Sequence, residues 1–171
     1  LPSGNGCLLV FEQKTGVPAA VLLDEGYLTD IRTAAAGAVA AKYCAPRTVE
    51  RIGVAGAGVQ GRLQLEWLKR VTDCRDALVW GPLPDELEGY RREMKSRGFS
   101  VETTREAAAI PRTCNLIVTA TPSKTPLLSA ADLRPGTHIT AVGSDTPDKQ
   151  ELDSEILARA EQQLLNDEGL A

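Results

Sequence analysis

Two short apolar runs, Cys7-Leu-Leu-Val-Phe11 and Pro18-Ala-Ala-Val-Leu-Leu23, flank the turn-rich Glu12-Gln-Lys-Thr-Gly16. Period-two runs on either side of a glycine-containing loop predict a β-hairpin. Thr29 is placed to cap a helix from Asp30 to about Tyr43, which stops ahead of Pro46 because the residue before proline avoids the α region. Alanines at 34, 35, 36, 38, 40 and 41 make this helix thin, and Gly37 costs it about 1 kcal/mol of propensity, a cost usually tolerated for close packing. Arg32 and Thr33 then fall in its first turn, where an anion is favoured.

From Val49 the pattern changes to alternating strands and helices, which argues for a parallel sheet covered on both faces. The strands are expected at Ile52 to Ala55, Ala77 to Trp80, Ser100 to Glu102, Asn115 to Ala120 and His138 to Val142. Helices are expected at about Gln60 to Val71, Pro84 to Arg97, Arg105 to Ile110, Ala130 to Leu133 and Glu151 to Ala160. Thr103 with Glu106, and Ser129 with Asp132, fit a capping-box spacing. The fold class is α/β, a Rossmann-type doubly wound parallel sheet preceded by an antiparallel hairpin plus helix.

Composition narrows the partners. The 171 residues are 43% hydrophobic and 25% charged, the proportions of an ordinary globular domain. Lys and Arg number 19 against 23 Asp and Glu, with neither sign gathered into a block, so a small molecule is expected rather than nucleic acid or a membrane. Cys7, Cys44, Cys74 and Cys114 lack metal-ligand spacing, and Cys7 and Cys114, inside apolar strand-like runs, are expected as buried reduced thiols. No apolar stretch approaches the ~20 residues of a membrane span and no secretory leader is visible, so the setting reads as cytoplasmic. The opening Leu1-Pro-Ser-Gly begins inside structured-looking sequence, and more chain is expected before it.

The chemistry is carried by Gly56, Gly58 and Gly61, a G-x-G-x-x-G between a short apolar strand and an amphipathic helix. The three glycines meet separate requirements, namely a tight turn at Gly56, close approach of backbone to a pyrophosphate at Gly58, and close helix-to-strand packing at Gly61. The first-turn N–H groups lack intrahelical partners and supply donors to phosphate. A carboxylate about 20 residues on, at the end of the second strand, usually holds the ribose of NAD. Here that strand runs into Gly81-Pro82, with Asp85 beyond, and no arginine replaces the carboxylate, which leaves NAD against NADP open.

With these residues in place, the chain resembles the ornithine cyclodeaminase and mu-crystallin family from Leu1 to about Ala160. The resemblance is carried by Leu1-Pro-Ser3, Leu28-Thr-Asp-Ile-Arg-Thr-Ala-Ala35, Ile52-Gly-Val-Ala-Gly-Ala-Gly-Val-Gln60, Thr119-Ala-Thr-Pro122 and His138-Ile-Thr-Ala-Val-Gly-Ser-Asp145, followed by Lys149 and Glu151-Leu152. The longer phrases look most like the branch of ectoine-utilisation cyclodeaminases and iminosuccinate reductases. The resemblance implies a subunit in which an antiparallel platform dimerises and holds substrate while the Rossmann domain holds the nicotinamide. Residues 1–45 would belong to the platform and residues 46–171 to the NAD(P) domain.

The resemblance further implies that Arg32 grips the substrate carboxylate, as a guanidinium fork does. Thr33 would face the cofactor phosphates, and Asp145 would be the catalytic aspartate. Cofactor contacts are implied for Ser3, Arg32, Thr33, Gly56, Gly58, Val59, Gln60, Gly61, Gly81, Thr121, Val142, Gly143 and Ser144, with NAD slightly preferred over NADP and no metal. On position alone Asp145 is as well read as a turn aspartate, Arg32 as a surface ion pair, and Lys149 as a solvated loop lysine. His138 is read as structural.

The implied reaction takes hydride from the Cα of an amino acid to oxidised nicotinamide; in a cyclodeaminase the side-chain amine then closes on the imine, ammonia leaves and the hydride returns. A reductase runs only the last half, on a preformed imine. A third reading is a crystallin-like nucleotide-binding protein without catalysis. The family's substrate-binding lysine and a further arginine fall upstream of Leu1, its platform continues beyond Ala171, and Gly81 replaces an acidic residue. The chain is therefore expected to be the central portion of a longer subunit.

Overall fold

A computed structural model describes residues 6–160. The first element is an antiparallel hairpin, β1 (Cys7–Phe11) and β2 (Pro18–Leu23), whose register slips between Val10 and Phe11. Helix α1 (Tyr27–Cys44) follows, and then an alternating series. Its members are β3 (Ile52–Ala55), α2 (Val59–Leu68), β4 (Asp76–Trp80), α3 (Pro84–Ser96), β5 (Ser100–Thr104), α4 (Ala109–Thr113), β6 (Leu116–Thr119), β7 (His138–Ala141) and α5 (Ser154–Arg159).

Strands β3 to β7 form one parallel sheet in the order β5-β4-β3-β6-β7. The chain winds outward from β3 to one side, then returns to lay β6 on its other side. That reversal is the topological switch point of a doubly wound sheet, and the crevice at the strand C-termini beside it is where ligands enter such folds. The two central strands, Ile-Gly-Val-Ala and Leu-Ile-Val-Thr, are buried throughout, as a sheet covered on both faces requires. Alternation divides their side chains between two cores. Ile52, Val54, Leu116 and Val118 pack with Leu65, Leu68, Tyr90 and Met94, while Ile117 packs on the other face with Leu78, Ile110, Cys114, Leu128 and Ile156.

Several expected boundaries are corrected. Helix α1 starts at Tyr27, not Asp30, and Thr29 does not cap it. Gly26, at φ 86°, turns the chain in the left-handed region, and Asp24 Oδ2 accepts from Leu28 N at 2.8 Å. Arg32 and Thr33 consequently lie beyond the first turn. Helix α4 begins later than expected because Thr104, the end of β5, bends the chain by accepting from Glu106 N at 3.0 Å; Thr103 lies within the strand. Ser129 does cap, over the 3-10 turn Ala130–Asp132. The last helix starts at Ser154, capped by Asp153, and Glu151 is not part of it. Cys7 is exposed rather than buried, because both faces of the hairpin are open; Cys114 is buried and all four cysteines are free.

The thin face of α1 does lie against another helix. Gly37 faces α2, where a Cβ would run into the Gln64 side chain. Gln64, 1% exposed, donates to the Thr33 carbonyl at 3.0 Å, and Gln60 donates to Asp30 Oδ1 at 2.9 Å and to its carbonyl at 3.2 Å. Two glutamines one turn apart on α2 thus lace it to residues 30–33 of α1.

Candidate dinucleotide-binding crevice

The three glycines of the turn between β3 and α2 have different surroundings. Gly56 has φ 117°, and a Cβ there would strike the Ala120 carbonyl, so the turn closes directly on the end of β6. A Cβ on Gly61 would strike the Gly56 carbonyl and press on Val54, so α2 starts close to its strand. At Gly58, the N-cap residue, nothing among the described residues lies within 4 Å of where a Cβ would stand. The open space is therefore above the helix start, where the N–H groups of Val59, Gln60 and Gly61 precede the first intrahelical bond, Arg62 N to Gly58 O at 3.2 Å. No acidic residue stands in this first turn to repel an anion.

The turn is braced from beneath by residues the sequence pattern did not single out. Arg62 donates to the Ala57 carbonyl, pairs with Glu93 at 2.7 Å and lies 5.1 Å from the Tyr90 ring centre. The fully buried Tyr90 hydroxyl donates to the Gly61 carbonyl at 2.9 Å. Burial pushes its phenol well above the ordinary range, so it remains a donor. Gly81, at the end of β4, is buried against Leu87 and Ala57, with 3.2 Å from an added Cβ to Leu87 Cδ2. A side chain there would meet α3, and the nearest acids in sequence, Asp85 and Glu86, stand exposed on the first turn of α3.

Across the switch point the ends of β6 and β7 are joined through Glu151. Its carboxylate, 0% exposed, accepts from Thr121 N at 2.6 Å, Thr121 Oγ1 at 2.8 Å, Thr119 Oγ1 at 2.7 Å and Gly143 N at 2.9 Å. The Glu151 N–H donates to Ser144 Oγ at 3.2 Å. A Cβ on Gly143 would collide with the Thr121 backbone and with this carboxylate, so the glycine lets the two loops close. Val142 is half-buried against the core. The sequence pattern puts Glu151 at the head of the final helix; its place beside Leu152 in the motif was the available signal.

Asp145 stands exposed beyond β7, and Lys149 Nζ meets its Oδ1 at 2.5 Å. Arg32 is exposed on α1, and among the described residues no carboxylate pairs with it. Helix α1 packs against both α2 and β7, so the helix carrying Arg32 and Thr33 borders the glycine turn and the strand that leads to Asp145. His138 enters β7 far from these ends, its Nε2 2.9 Å from Thr140 Oγ1, and burial pulls its pKa down. Ser3 lies outside the described residues. Among those residues no cluster of metal-ligating side chains occurs and no helix is long and apolar enough to cross a membrane.

Comparison with known families agrees with this geometry, since the ornithine cyclodeaminase/mu-crystallin family model matches residues 1–169. The chain belongs to that family. An uncharacterized cyclodeaminase of Sinorhizobium fredii is 41% identical over 94% of this chain and 49% of its own length. An archaeal alanine dehydrogenase dimer with bound NAD superposes with TM-score 0.87 at 38% identity, over 94% of this chain and 49% of that one. The Δ1-pyrroline-2-carboxylate reductase of Thermococcus litoralis, in complex with NADH and L-proline, superposes with TM-score 0.88 at 34% identity, over 94% and 50%. The chain thus spans about half the length of these cyclodeaminase-family relatives.

Proposed function

We propose that this chain is the nucleotide-binding part of a nicotinamide-dependent cyclodeaminase, which converts an amino acid to a cyclic imino acid with release of ammonia. The observation that carries the reading is the glycine turn at the switch point. Its open space lies above helix-start N–H groups that have no intrahelical partner among the described residues, and no carboxylate stands in the first turn. It is bordered by a helix whose Arg32 pairs with no carboxylate among the described residues.

The donor set fits a pyrophosphate: Gly58, Val59, Gln60 and Gly61 present backbone N–H groups. Thr33, on the neighbouring helix α1, would face the same phosphates from one turn along, where its carbonyl accepts from Gln64. Gly81 would border the adenosine half, and Thr121, Val142, Gly143 and Ser144 the nicotinamide half. Ser3 would add a contact from the platform. NAD is preferred over NADP, since Arg62 is committed to Ala57 and Glu93, and Asp85 and Glu86 on α3 would repel a 2′-phosphate. When bound, the nicotinamide supplies reversible hydride exchange with the substrate Cα.

Arg32 holds the substrate carboxylate bidentately and fixes which face of the Cα is presented. Asp145 takes and returns a proton at the substrate nitrogen, with Lys149 orienting its carboxyl group. The hairpin belongs to a platform, residues 1–45, joined to the NAD domain, residues 46–171. Leu8, Leu9, Val10, Phe11, Val21 and Leu23 are exposed, and a lone two-stranded ribbon is marginal in water, which supports burial against further platform and a second subunit in a homodimer. Four free thiols and a nicotinamide cofactor fit the cytoplasm.

A second reading, an imine reductase that consumes NADH, is favoured by the likeness to a reductase holding NADH and L-proline. Assay of the complete protein separates the two. Ornithine or a diamino acid giving ammonia with constant nicotinamide absorbance supports the cyclodeaminase. Loss of absorbance with a cyclic imine, or with oxaloacetate plus ammonia, supports the reductase, and no nucleotide binding by this chain sinks both.

A further inference from the structure

We propose that Glu151 is a positioning residue for the nicotinamide end of the crevice, acting by holding the C-terminal ends of β6 and β7 in one fixed relation. The inference rests on the nucleotide-binding reading above.

A fully buried carboxylate is expensive to desolvate and persists only where donors replace its water. Glu151 has four donors, and all of them come from the two strand ends and the loops that leave them. Its Oε1 takes both the N–H and the hydroxyl of Thr121, while its Oε2 takes the Thr119 hydroxyl and the Gly143 N–H. One carboxylate therefore spans the gap between the loop after β6 and the loop after β7. The backbone follows the same course. The Glu151 carbonyl accepts from Leu127 N at 2.7 Å and Leu128 N at 3.2 Å, Gln150 N donates to the Ser123 carbonyl at 2.8 Å, and Leu128 pairs with Leu152 as an isolated bridge.

The place of this tie in the sheet gives it a role beyond stability. In a doubly wound sheet a dinucleotide crosses at the switch point, one half over β3 and β4 and the other over the strands on the far side. The glycine turn serves the first half and meets Glu151 only indirectly, where Gly56 packs on Ala120 and on Thr121, which the carboxylate holds. The second half lies over β6 and β7, whose ends Glu151 joins while fully shielded from solvent. Glu151 also places Ser144 through its own N–H, one residue before Asp145. It is thus a support for the nicotinamide and for Asp145, not a catalytic residue.

The test compares NADH, which fills both halves, with ADP-ribose, which lacks the nicotinamide ring. Calorimetric titration of the chain with each ligand is repeated on Glu151→Gln, in which the amide presents donors to donors. The expected result is a loss of about tenfold in NADH affinity with a several-fold smaller loss for ADP-ribose, because a small displacement matters most at the end it supports. Equal losses for both ligands, or no loss for either, would overturn the positioning role while leaving the cofactor site intact. Should Glu151→Gln fail to fold, Thr119→Val, which removes one buried donor while keeping shape, must show the same split in smaller measure, and its absence is equally fatal. Wild-type chain that binds neither ligand would instead refute the cofactor reading itself.

Discussion

The Cα of Gly61 faces the carbonyl oxygen of Gly56 so closely that no side-chain carbon fits between them. Gly58, two residues from the turn's start, has free space at the same position and an ordinary extended backbone, φ −78° and ψ −168°. The two glycines therefore answer to different requirements. Gly61→Ala should cost about 2 kcal/mol of stability by overpacking. Gly58→Ala should melt like the wild type yet lose about tenfold in NADH affinity, because its methyl group would stand in the space proposed for the pyrophosphate. Thermal melts and nucleotide titrations of the two variants, run together, check the contrast.

Tyr90 holds the same turn from the core side. Tyr90→Phe removes its bond to the Gly61 carbonyl but keeps the ring under Arg62, so a loss of about 1 kcal/mol is expected in urea denaturation. The exposed Tyr43, treated in the same way, should show no change. A Tyr90→Phe variant as stable as the wild type would mean that the buried carbonyl finds another donor.

His138 makes stability depend on pH in a defined direction. Burial lowers its folded pKa below the ordinary value of 6.5, so the unfolded chain binds the proton more readily. Its contribution is complete above the unfolded value and is lost as pH falls through the lowered folded one. Denaturation at about pH 7.5 and about pH 5.5 should show a smaller drop for His138→Asn than for the wild type. An equal drop would assign the dependence to other groups.

In the complete protein, Asp145→Asn should lower turnover by about 10²-fold to 10⁴-fold while NADH affinity stays within a few-fold, as for a group that handles a proton. Arg32→Lys should raise the substrate KM about tenfold, since a single ammonium cannot replace the bidentate fork. Steady-state kinetics beside nucleotide titration checks both. A large loss of NADH binding in the Asp145 variant would make that residue structural.

Much of this layout was legible in the chain because it rests on local periodicity. The hairpin strands, β3 and the glycine turn lie where alternation and the glycine spacing put them. The start of α1 escapes the pattern because Thr29 is a good cap by type, whereas the N-cap is the left-handed Gly26 and it is Asp24, two residues before it, that accepts from Leu28 N. The exposure of Cys7 escapes it because an apolar strand is covered only if something packs on it. Glu151 is hidden for a different reason. A charged residue near a helix reads as surface, and only the paired loops bring four donors around it.

The tie made by Glu151 also sets an order on assembly during synthesis. Thr119, Thr121 and Gly143 leave the ribosome before the residue that accepts their hydrogens, with about thirty positions between the first of them and the acceptor. Until that glutamate is translated and folds back, the loops leaving β6 and β7 lack the acceptor that joins them.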